Sequence, residues 1–480
     1  MAATLPVQVD GELRLPGDEL PRALREKLLG LLTFPNPERI RAERAGRPCH
    51  GMPKFIEGWA VEDGFGGSEL LLPRGMLPAL VELARREGFD LEVALGTTNG
   101  QPLPPTELRQ PLRDYQQAAV AALLDGRNGL VEAPCGAGKT QIGVGALVAL
   151  GRTTLILVHT KDLLQQWVDR IAAVTGIEAG VIGGGKNRPA AVTVAMVQTL
   201  AGWTAHELRC FGRDFGTLIV DEAHHGPCQT YWSLVPAFPA RNRFGLTATP
   251  ERDDGLTPML GWMFGPTLYR IDQATLIQAG HLVVPELVEV RTETRWQGDP
   301  KRHYHKLLDV LAHDADRNQA IVDLVSGEVR QGGSVLVLSQ RKDHCALLAE
   351  LLEQRGIACQ SLTSDVGKVR RKKTLADMRT GASSVLIATQ LADEGLDIPR
   401  LSALVLAMPQ RAAGKTIQRL GRIMRPAAGK RTPRLYDLVD VEIGVLQSQA
   451  ASRRRAYRQV LGGSVSPRVI SLRHLRLEVA

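Results

Sequence analysis

The sequence predicts an α/β protein with two tandem parallel-sheet lobes and a small α+β domain in front of them. The first observation behind this is an alternation, from about residue 106 onwards, of short Val-, Ile- and Leu-rich runs with helical stretches. Such alternation is typical of parallel strands, because each crossover needs about a dozen residues and is usually a helix. The second observation is the length of 480 residues, which is too long for one hydrophobic core.

The composition limits the classes of function. The net charge of +8 and the pI near 9.3 favour a polyanionic partner. The six cysteines are scattered without a C-x-x-C pair, which argues against a disulfide framework or a zinc ribbon. No apolar run approaches the roughly twenty residues of a membrane span, and acidic residues near the N-terminus argue against a secretory signal. We therefore expect a cytoplasmic protein without a membrane partner.

Changes in composition divide the chain into five segments. They are an N-terminal accessory domain, a first lobe, a connecting segment, a second lobe and a basic C-terminal tail: residues 1–105, 106–270, 271–330, 331–445 and 446–480. The proline-rich run at 101–105 indicates a linker at the first boundary. The arginines between 39 and 47, and those after 446, either bind nucleic-acid phosphates or are simply solvated. The sequence leaves both alternatives open.

A glycine-bearing turn lies between the apolar run at 129–131 and a small-residue stretch at 141–150 that predicts a helix. The turn consists of Ala133, Pro134, Cys135, Gly136, Ala137, Gly138, Lys139 and Thr140. Glycines let backbone N–H groups close on a triphosphate, and the helix N-terminus adds partial positive charge. Lys139 is expected to reach the β and γ phosphates, and Thr140 to ligate Mg²⁺. The first glycine of the usual pattern is replaced by Ala133.

Two carboxylates follow the apolar run at 217–220. Open α/β sheets bind their ligands at the carboxyl ends of buried parallel strands, where Asp221 and Glu222 are placed. Asp221 is suited to hold Mg²⁺ through water, and Glu222 to orient and deprotonate an attacking water. Because Gly138-Lys139-Thr140 stands upstream, the pair predicts hydrolysis of ATP with Mg²⁺ in preference to a solvated strand end.

The letters Asp-Glu-Ala-His at 221–224 resemble those of superfamily 2 helicases of the DEAH-lettered kind. Within these helicases the chain is most similar to the XPB and phage UvsW group. The resemblance covers about residues 111–440 and rests on several motifs in the order of the family. It implies a paired RecA-like architecture with ATP bound in the cleft between the lobes.

The resemblance also implies roles for residues of the first lobe. Gln116 would read the adenine edge, with Arg113 or Tyr115 packing on the base, and Thr247 and Thr249 would couple hydrolysis to strand movement. Polar strand ends would hold phosphate oxygens of the nucleic acid without reading its sequence. These candidate nucleic-acid contacts, together with two from the second lobe, are His159, Thr160, Lys161, Gln198, Thr199, Thr389 and Gln390.

Two further segments of the second lobe carry the resemblance. In the segment from Thr389 to Pro399, Gly395 and Asp397 would contact the nucleotide ribose. The segment from Gln418 to Arg425 matches the arginine-finger helix, so Gln418, Arg422 and Arg425 would act on ATP. The two arginines lie three residues apart and share one helical face. Guanidinium groups suit phosphate oxygens because they are planar, always charged and bidentate.

These motifs predict an ATP-dependent DNA helicase or translocase of repair, recombination, phage replication or defence, acting as a monomer. The resemblance implies 3′-to-5′ movement, and phosphate contacts predict little sequence preference and strong salt dependence. Three alternatives stay open. The protein translocates on duplex DNA without strand separation, as the motor of a restriction or remodelling complex; it acts on RNA; or it is a nucleotide-dependent binding scaffold with little turnover.

Overall fold

The computed structural model describes residues 3–64, 67–248, 254–300, 302–389, 398–409, 420–421, 423–427, 430–461 and 466–472. Its contacts divide the chain into two compact units. The first contains Met1–Ala133 and Gly138–Ile271, and the second contains Pro134–Ala137 and Asp272–Ala480. Among the described helices, none is long and apolar enough to cross a membrane.

In the first unit, the described strands are β1 Ala3–Val9, β2 Glu12–Pro16, β3 Thr33–Pro35, β4 Phe55–Glu57, β5 Ala60–Gly64, β6 Gly67–Pro73, β7 Phe89–Leu95, β8 Asn128–Glu132, β9 Thr154–Val158, β10 Gly180–Gly183, β11 Lys186–Arg188, β12 Val192–Met196, β13 Thr217–Asp221, β14 Asn242–Thr247 and β15 Thr267–Arg270. The helices of this unit are α1 Arg22–Leu31, α2 Pro37–Arg44, α3 Leu77–Arg86, α4 Asp114–Gly126, α5 Lys139–Leu150, α6 Lys161–Thr175, α7 Val197–Leu200, α8 Ala205–Gly212, α9 Gln229–Leu234 and α10 Pro258–Phe264.

In the second unit, the described strands are β16 Glu286–Thr292, β17 Val335–Ser339, β18 Gln360–Leu362, β19 Val385–Thr389, β20 Ala403–Leu406, β21 Arg434–Asp440 and β22 Arg468–Ser471. Its helices are α11 Gln273–Gln278, α12 Tyr304–His313, α13 Ala315–Arg330, α14 Lys342–Gln354, α15 Lys368–Thr380 and, near the end of the chain, α16 Gly444–Leu461. Both units therefore show the α/β alternation, and the predicted fold class is confirmed.

The N-terminal domain is a small α+β layer on a mixed sheet of order β5-β6-β2-β1-β7. Its core joins the alternating leucines of the sheet to Leu24 and Leu28 of α1 and to Leu80 of α3. Trp262 of α10, which belongs to the first lobe, is buried in the same core. The N-terminal domain is therefore packed on the first lobe through a shared hydrophobic core.

Two buried arginines connect the N-terminal domain to the first lobe through hydrogen bonds. Arg74 donates to the carbonyl of Arg241 at 2.6 Å, and Arg243 donates to the carbonyls of Gly11 at 2.9 Å and Phe238 at 3.0 Å. Burial lowers the pKa of both guanidinium groups, that of Arg74 to about 10. Because a buried charge is tolerated only with hydrogen-bond partners, these carbonyls fix how the two parts meet.

The run at 101–105, which the sequence predicts to be a linker, is tied to the first lobe. The amide of Gln101 donates to the Thr153 hydroxyl at 3.0 Å, and the amide of Leu103 donates to the carbonyl of Gly151 at 2.8 Å. The prolines lie between β7 and α4. They do not mark a free connection, because hydrogen bonds to Gly151 and Thr153, which precede β9, hold the run in place.

The sheet of the first lobe has the order β11-β10-β12-β9-β13-β14-β8-β15. Its neighbouring strands are parallel, apart from the antiparallel pair β10 and β11. Strands β9 and β13 are buried over their full length, which explains their continuous apolar runs. The parallel arrangement brings the carboxyl ends of β8, β13 and β14 to one edge of the sheet.

The second unit has an all-parallel sheet of order β18-β19-β17-β20-β21-β16-β22. Strand β16 comes from the segment that the sequence predicts to connect the lobes, and it pairs with β21 along seven residues, from Glu286↔Arg434 to Thr292↔Asp440. The 271–330 segment therefore contributes to the core of the second sheet. Its role differs from the prediction because parallel pairing joins residues far apart in sequence.

Two described parts of the predicted basic tail, within 446–461 and 466–472, belong to the fold. Helix α16 packs on β21, and β22 forms the edge of the sheet beside β16. Arg453 is only 2% exposed and donates to Asp437 through two nitrogens, each at 2.8 Å. A buried guanidinium needs such a carboxylate, so this arginine is a structural residue and not a member of a solvated tail.

His344 of α14 is a buried, neutral hydrogen-bonding group of the second unit. Its Nε2 lies 2.8 Å from Asn318 Oδ1, which only accepts, so Nε2 donates and Nδ1 accepts from the Ser339 hydroxyl at 3.0 Å. Burial, with a smaller effect of Arg317, lowers the pKa of His344 to about 3. Protonation of His344 would place an N–H donor at Nδ1, opposite the Ser339 hydroxyl that donates to it, and a positive charge in the core.

This shift predicts a stability that depends on pH. The unfolded histidine titrates near pH 6.5, well above the folded one, so the unfolded chain binds more protons as the pH falls below about 6.5. Between about pH 7 and pH 5.5, His344 should therefore lower the free energy of unfolding by about 1 kcal/mol.

Denaturant unfolding of the parent, His344→Gln and the exposed-site control His305→Gln at both pH values tests this. The pH-dependent loss should shrink by about 1 kcal/mol in His344→Gln only. An equal loss in all three proteins would contradict the prediction.

Candidate nucleotide site

The glycine-bearing turn connects β8 to α5 at the carboxyl edge of the first-lobe sheet. The Ala133 amide donates to the carbonyl of Thr247 at 2.9 Å, which ties the start of the turn to the neighbouring strand β14. Gly136 and Gly138 have φ angles of +93° and +81°, in the left-handed region that favours glycine. Gly138 is the N-cap of α5, so Lys139 begins the helix. The turn therefore has the backbone that a phosphate cradle requires.

Gln116 lies beside this turn. It is buried in the first turn of α4, where its Oε1 accepts from the Arg113 amide at 3.1 Å. Its Nε2 lies so close to Gly138 that a Cβ there would approach it to 2.6 Å. The structure thus brings Gln116 to the glycine-bearing turn. The Arg113 side chain donates to the Tyr115 hydroxyl at 3.1 Å.

The two carboxylates of β13 lie next to the lysine of the turn. Lys139 Nζ is 3.5 Å from Glu222 Oε1, and both side chains are largely buried. Glu222 has a φ of +49°, which is an uncommon conformation for a residue with a side chain. The backbone therefore turns sharply directly after β13, at Glu222. Such strained positions are typical of functional sites, so the backbone conformation of Glu222, like its charge, indicates a functional residue.

The two carboxyl groups titrate in opposite directions. Burial, and then the neighbouring Glu222, raises the pKa of Asp221 above its usual range. Burial alone would also raise the pKa of Glu222, but Lys139 and His224 lower it below its usual range. As the pH falls, Asp221 is therefore protonated before Glu222, which keeps its negative charge opposite the Lys139 ammonium.

Trp167 fixes Asp221 from the other side. Its indole Nε1 donates to Asp221 Oδ2 at 2.8 Å, while the Glu222 amide donates to Asp221 Oδ1 at 2.9 Å. The indole is fully buried against Gly143 of α5, where a Cβ would approach it to 2.5 Å. Sequence reasoning missed Trp167. The signal that could have found it is a tryptophan on the buried face of a helix, here α6, that directly follows a strand of the sheet.

His224 connects Glu222 to the end of β14. Its Nδ1 lies 3.4 Å from Glu222 Oε2 and 3.4 Å from the hydroxyl of Thr247. The fully buried Thr247 therefore reaches the acidic pair through this imidazole. The predicted partner Thr249 lies outside the described residues.

The candidate nucleic-acid contacts of the first lobe follow β9 and β12, which are neighbouring strands. Gln198 Nε2 donates to the carbonyl of His159 at 2.9 Å, which joins the two segments. The Thr160 hydroxyl accepts from the Leu163 amide at 3.2 Å and so caps α6, at whose start Lys161 is exposed. Thr199 lies in α7 beside Gln198. These residues share the carboxyl edge with the glycine-bearing turn.

In the second unit, Thr389 ends β19 at the carboxyl edge of its sheet. Its buried Oγ1 has no hydrogen-bond partner among the described residues. Arg425 is described and half-buried. The remaining predicted site residues of this unit, which are Gln390, Gly395, Asp397, Gln418 and Arg422, lie outside the described residues.

The predicted donors for Mg²⁺ are a hydroxyl and a carboxylate. Thr140 is in the first turn of α5, and Asp221 ends β13 at the same edge. The described part of the chain contains no group of three His, Cys, Asp or Glu side chains that would form a complete metal cage. This sparse oxygen set fits Mg²⁺, which keeps several waters and binds substrate phosphates together with one or two protein oxygens.

Comparison with known proteins assigns two stretches of the chain. Residues 109–252 match the family of the type III restriction enzyme res subunit, and residues 316–427 match the helicase conserved C-terminal domain. The chain is similar to the DNA 3'-5' translocase XPB2 of Sulfurisphaera tokodaii, with 29% identity over 70% of this chain and 83% of the relative. The DNA 3'-5' helicase XPB of Kineococcus radiotolerans is 28% identical over 72% of this chain. The match spans 62% of that relative.

Among solved structures, Dbp5 of S. cerevisiae bound to RNA and ADP BeF3 resembles the chain with a TM-score of 0.55. The match covers 77% of this chain and 93% of that protein at 16% identity, and it therefore shows a shared fold.

The bond from Trp167 to Asp221 yields a prediction. Trp167→Phe keeps the ring packing but leaves a buried carboxylate oxygen without its donor, which should lower the free energy of unfolding by about 1–3 kcal/mol. It should also reduce Mg²⁺-dependent ATP hydrolysis, because Asp221 is then no longer fixed. Trp203→Phe serves as the control, since Trp203 is half-buried against Phe211 elsewhere in the lobe. If both variants behave alike in denaturant unfolding and hydrolysis, the bond does not orient Asp221.

Proposed function

We propose that this chain, a superfamily 2 helicase that resembles the XPB group, hydrolyses ATP with Mg²⁺ in order to move along DNA. The observation that carries this proposal is the contact of Lys139 with Glu222, at the edge where a glycine-bearing turn meets the end of β13. A lysine, a metal-binding carboxylate and a catalytic carboxylate beside such a turn are the groups that phosphoryl transfer to water requires.

The turn and its neighbours supply the binding of the nucleotide. The backbone from Pro134 to Thr140 surrounds the phosphates, with N–H donors from Cys135 onwards because proline has none, and the N-terminus of α5 favours their negative charge. Gln116 presents an amide donor beside Gly138 and is proposed to read the adenine edge. Thr140 and Asp221 hold Mg²⁺, which neutralises charge on the phosphates when it is bound.

Lys139 links nucleotide binding to the state of Glu222. In the structure the ammonium lies opposite the Glu222 carboxylate and lowers its pKa. A triphosphate competes for the same ammonium, because its charge is larger and its oxygens are the preferred partners of this lysine. Once Lys139 has turned to the phosphates, Glu222 loses its main stabilising cation and becomes a better base for the attacking water.

The arginines of the second unit are proposed to act in the chemical step. Arg422, Arg425 and Gln418 have the spacing of an arginine-finger helix. Guanidinium groups stabilise the charge that develops on the transferred phosphoryl oxygens, an effect of about 10³ to 10⁵ in related reactions. Gly395 and Asp397 are proposed to contact the ribose.

DNA is the proposed track because the similar relatives are named as DNA 3'-5' translocases or helicases. The strand ends at 159–161, 198–199 and 389–390 are proposed to hold its phosphates. Such contacts use hydroxyls, amides and one lysine, and they position the strand without reading its bases. The direction of movement, the action on single or double strands and the monomeric state belong to the same proposal.

Glu222→Gln tests the chemical step. It keeps the size of the side chain but removes the base, so ATP should still bind while hydrolysis falls by about 10² to 10⁴. Steady-state phosphate release is measured without nucleic acid and with single-stranded DNA, duplex DNA or RNA, and ATP affinity is measured separately. The matched control is Glu178→Gln at an exposed position.

The parent should be stimulated most by DNA. Stimulation by RNA alone would favour the RNA alternative, and a parent without any turnover would favour the binding scaffold. Loss of ATP binding in Glu222→Gln would make this residue structural.

Lys139→Ala tests whether this lysine is the phosphate ligand. Because the ammonium binds the phosphates in this proposal, the variant should lose ATP affinity as well as turnover, with its fold intact. Lys186→Ala, at an exposed position of β11, is the control. Near-parental hydrolysis by Lys139→Ala would rule out Lys139 as the phosphate ligand.

A further inference from the structure

Three imidazole rings form a continuous contact from the end of β9 to the acidic pair. The centroids of His159 and His225 lie 4.3 Å apart, and those of His225 and His224 also lie 4.3 Å apart, with interplanar angles of 48° and 36°. His224 Nδ1 in turn lies 3.4 Å from Glu222 Oε2. His225 is therefore the middle ring of a row that ends at Glu222.

The outer end of the row belongs to the candidate nucleic-acid segment. His159 directly precedes Thr160 and Lys161, and its carbonyl accepts from Gln198 of the neighbouring segment at 2.9 Å. A nucleic-acid backbone bound at these residues would displace the imidazole ring of His159. The His225 ring contacts the His159 ring on one side and the His224 ring on the other.

We propose that His225 is a positioning residue, which couples occupancy of the segment 159–161 to the placement of Glu222. The inference rests on the proposed function and deepens it, because it names the side chain through which a bound strand regulates hydrolysis. When the strand displaces His159, the packed rings carry the displacement to His224, and His224 then shifts against Glu222. Coupling of this kind needs contiguous packed groups, which the three rings provide.

Two other features support this role. His225 stands directly after the Asp-Glu-Ala-His letters and is half-buried, so its ring is held by neighbours without belonging to the hydrophobic core. In addition, Thr247 Oγ1 meets His224 Nδ1 at 3.4 Å, so that the inner end of the row also touches the end of β14. A displacement of His224 would reach the carboxylate and the threonine together.

Coupling between two sites is reciprocal, and this makes the proposal testable without nucleic acid. A non-hydrolysable ATP analogue with Mg²⁺, which contacts Lys139 and hence Glu222, should change the surroundings of His159 through the row. The imidazole C2–H signals are recorded by NMR at one fixed pH for the parent, His225→Ala and His206→Ala, with the His159 signal assigned from His159→Gln. His206 is the matched control, because it lies exposed on α8.

The nucleotide should shift the His159 signal in the parent and in His206→Ala, and this shift should be lost in His225→Ala. A shift of parental size in His225→Ala would overturn the inference, as would a parent that binds the analogue with no change at His159. His225→Phe keeps a flat ring between the two histidines and should restore the shift. This second variant decides the matter if His225→Ala does not fold.

The kinetic counterpart is the ratio of DNA-stimulated to basal ATP hydrolysis. His225→Ala should lower this ratio on the order of tenfold, within the usual range of coupling between sites, with little change in ATP affinity. His225→Phe should recover most of it, whereas a purely structural role would alter ATP affinity and thermal stability instead. Equal ratios in the parent and His225→Ala would overturn the inference. A parent that no nucleic acid stimulates counts against the proposed function, and the NMR comparison then still decides whether His225 couples the two ends.

Discussion

The burial of charge beside β13 is the constraint on which the site depends. Asp221, Glu222 and Lys139 all lie largely out of water, and each such charge costs several kcal/mol unless it is paired and hydrogen-bonded. The chain meets this cost with Trp167 and the Glu222 amide on one carboxylate, and with Lys139 and His224 on the other. The same contacts separate the two pKa values: burial raises that of Asp221, whereas Lys139 and His224 lower that of Glu222 against the effect of burial.

The parallel pairing of the strands brings the residues of the site together. Residues of β13 pair with β14 up to Asp221↔Leu246, and β14 pairs with β8 up to Thr247↔Glu132. Three segments that are distant in sequence therefore end at the same edge, where α5 begins. The tight contact of Trp167 with Gly143 then sets how closely α5 and α6 approach each other. The geometry of the acidic pair is thus a consequence of sheet order and of one small residue.

Local patterns made much of this predictable. The strands β9, β13 and β19, the turn before α5 and the acidic pair are each encoded in a few consecutive residues, so hydrophobic runs and glycines sufficed to find them. Partners distant in sequence were not predictable. Trp167 meets Asp221 across 54 residues, and Arg243 reaches Gly11 across 232. No periodicity marks such a contact.

The C-terminal arginines show the same limit. Their number predicts a basic surface, but Arg453 is a buried partner of Asp437, and only the folded chain reveals the pairing. Likewise, β16 was hidden in a stretch that looked like a connection, because its partners β21 and β22 lie more than a hundred residues later. Net charge and local composition describe residue types, whereas the role of each residue depends on what it faces.

The turn from 134 to 140 is proposed to bind the triphosphate of ATP through a backbone that only glycine permits at its centre. Calorimetric titration of Mg·ATP into the parent, Gly138→Ala and the control Gly184→Ala measures this binding. Gly138 has a φ of +81° and Gln116 Nε2 stands 2.6 Å from any added Cβ, whereas Gly184 has a φ of +62° with open space around it. Gly138→Ala should lose measurable ATP binding, while Gly184→Ala should keep the parental affinity. Parental affinity in both variants would contradict it.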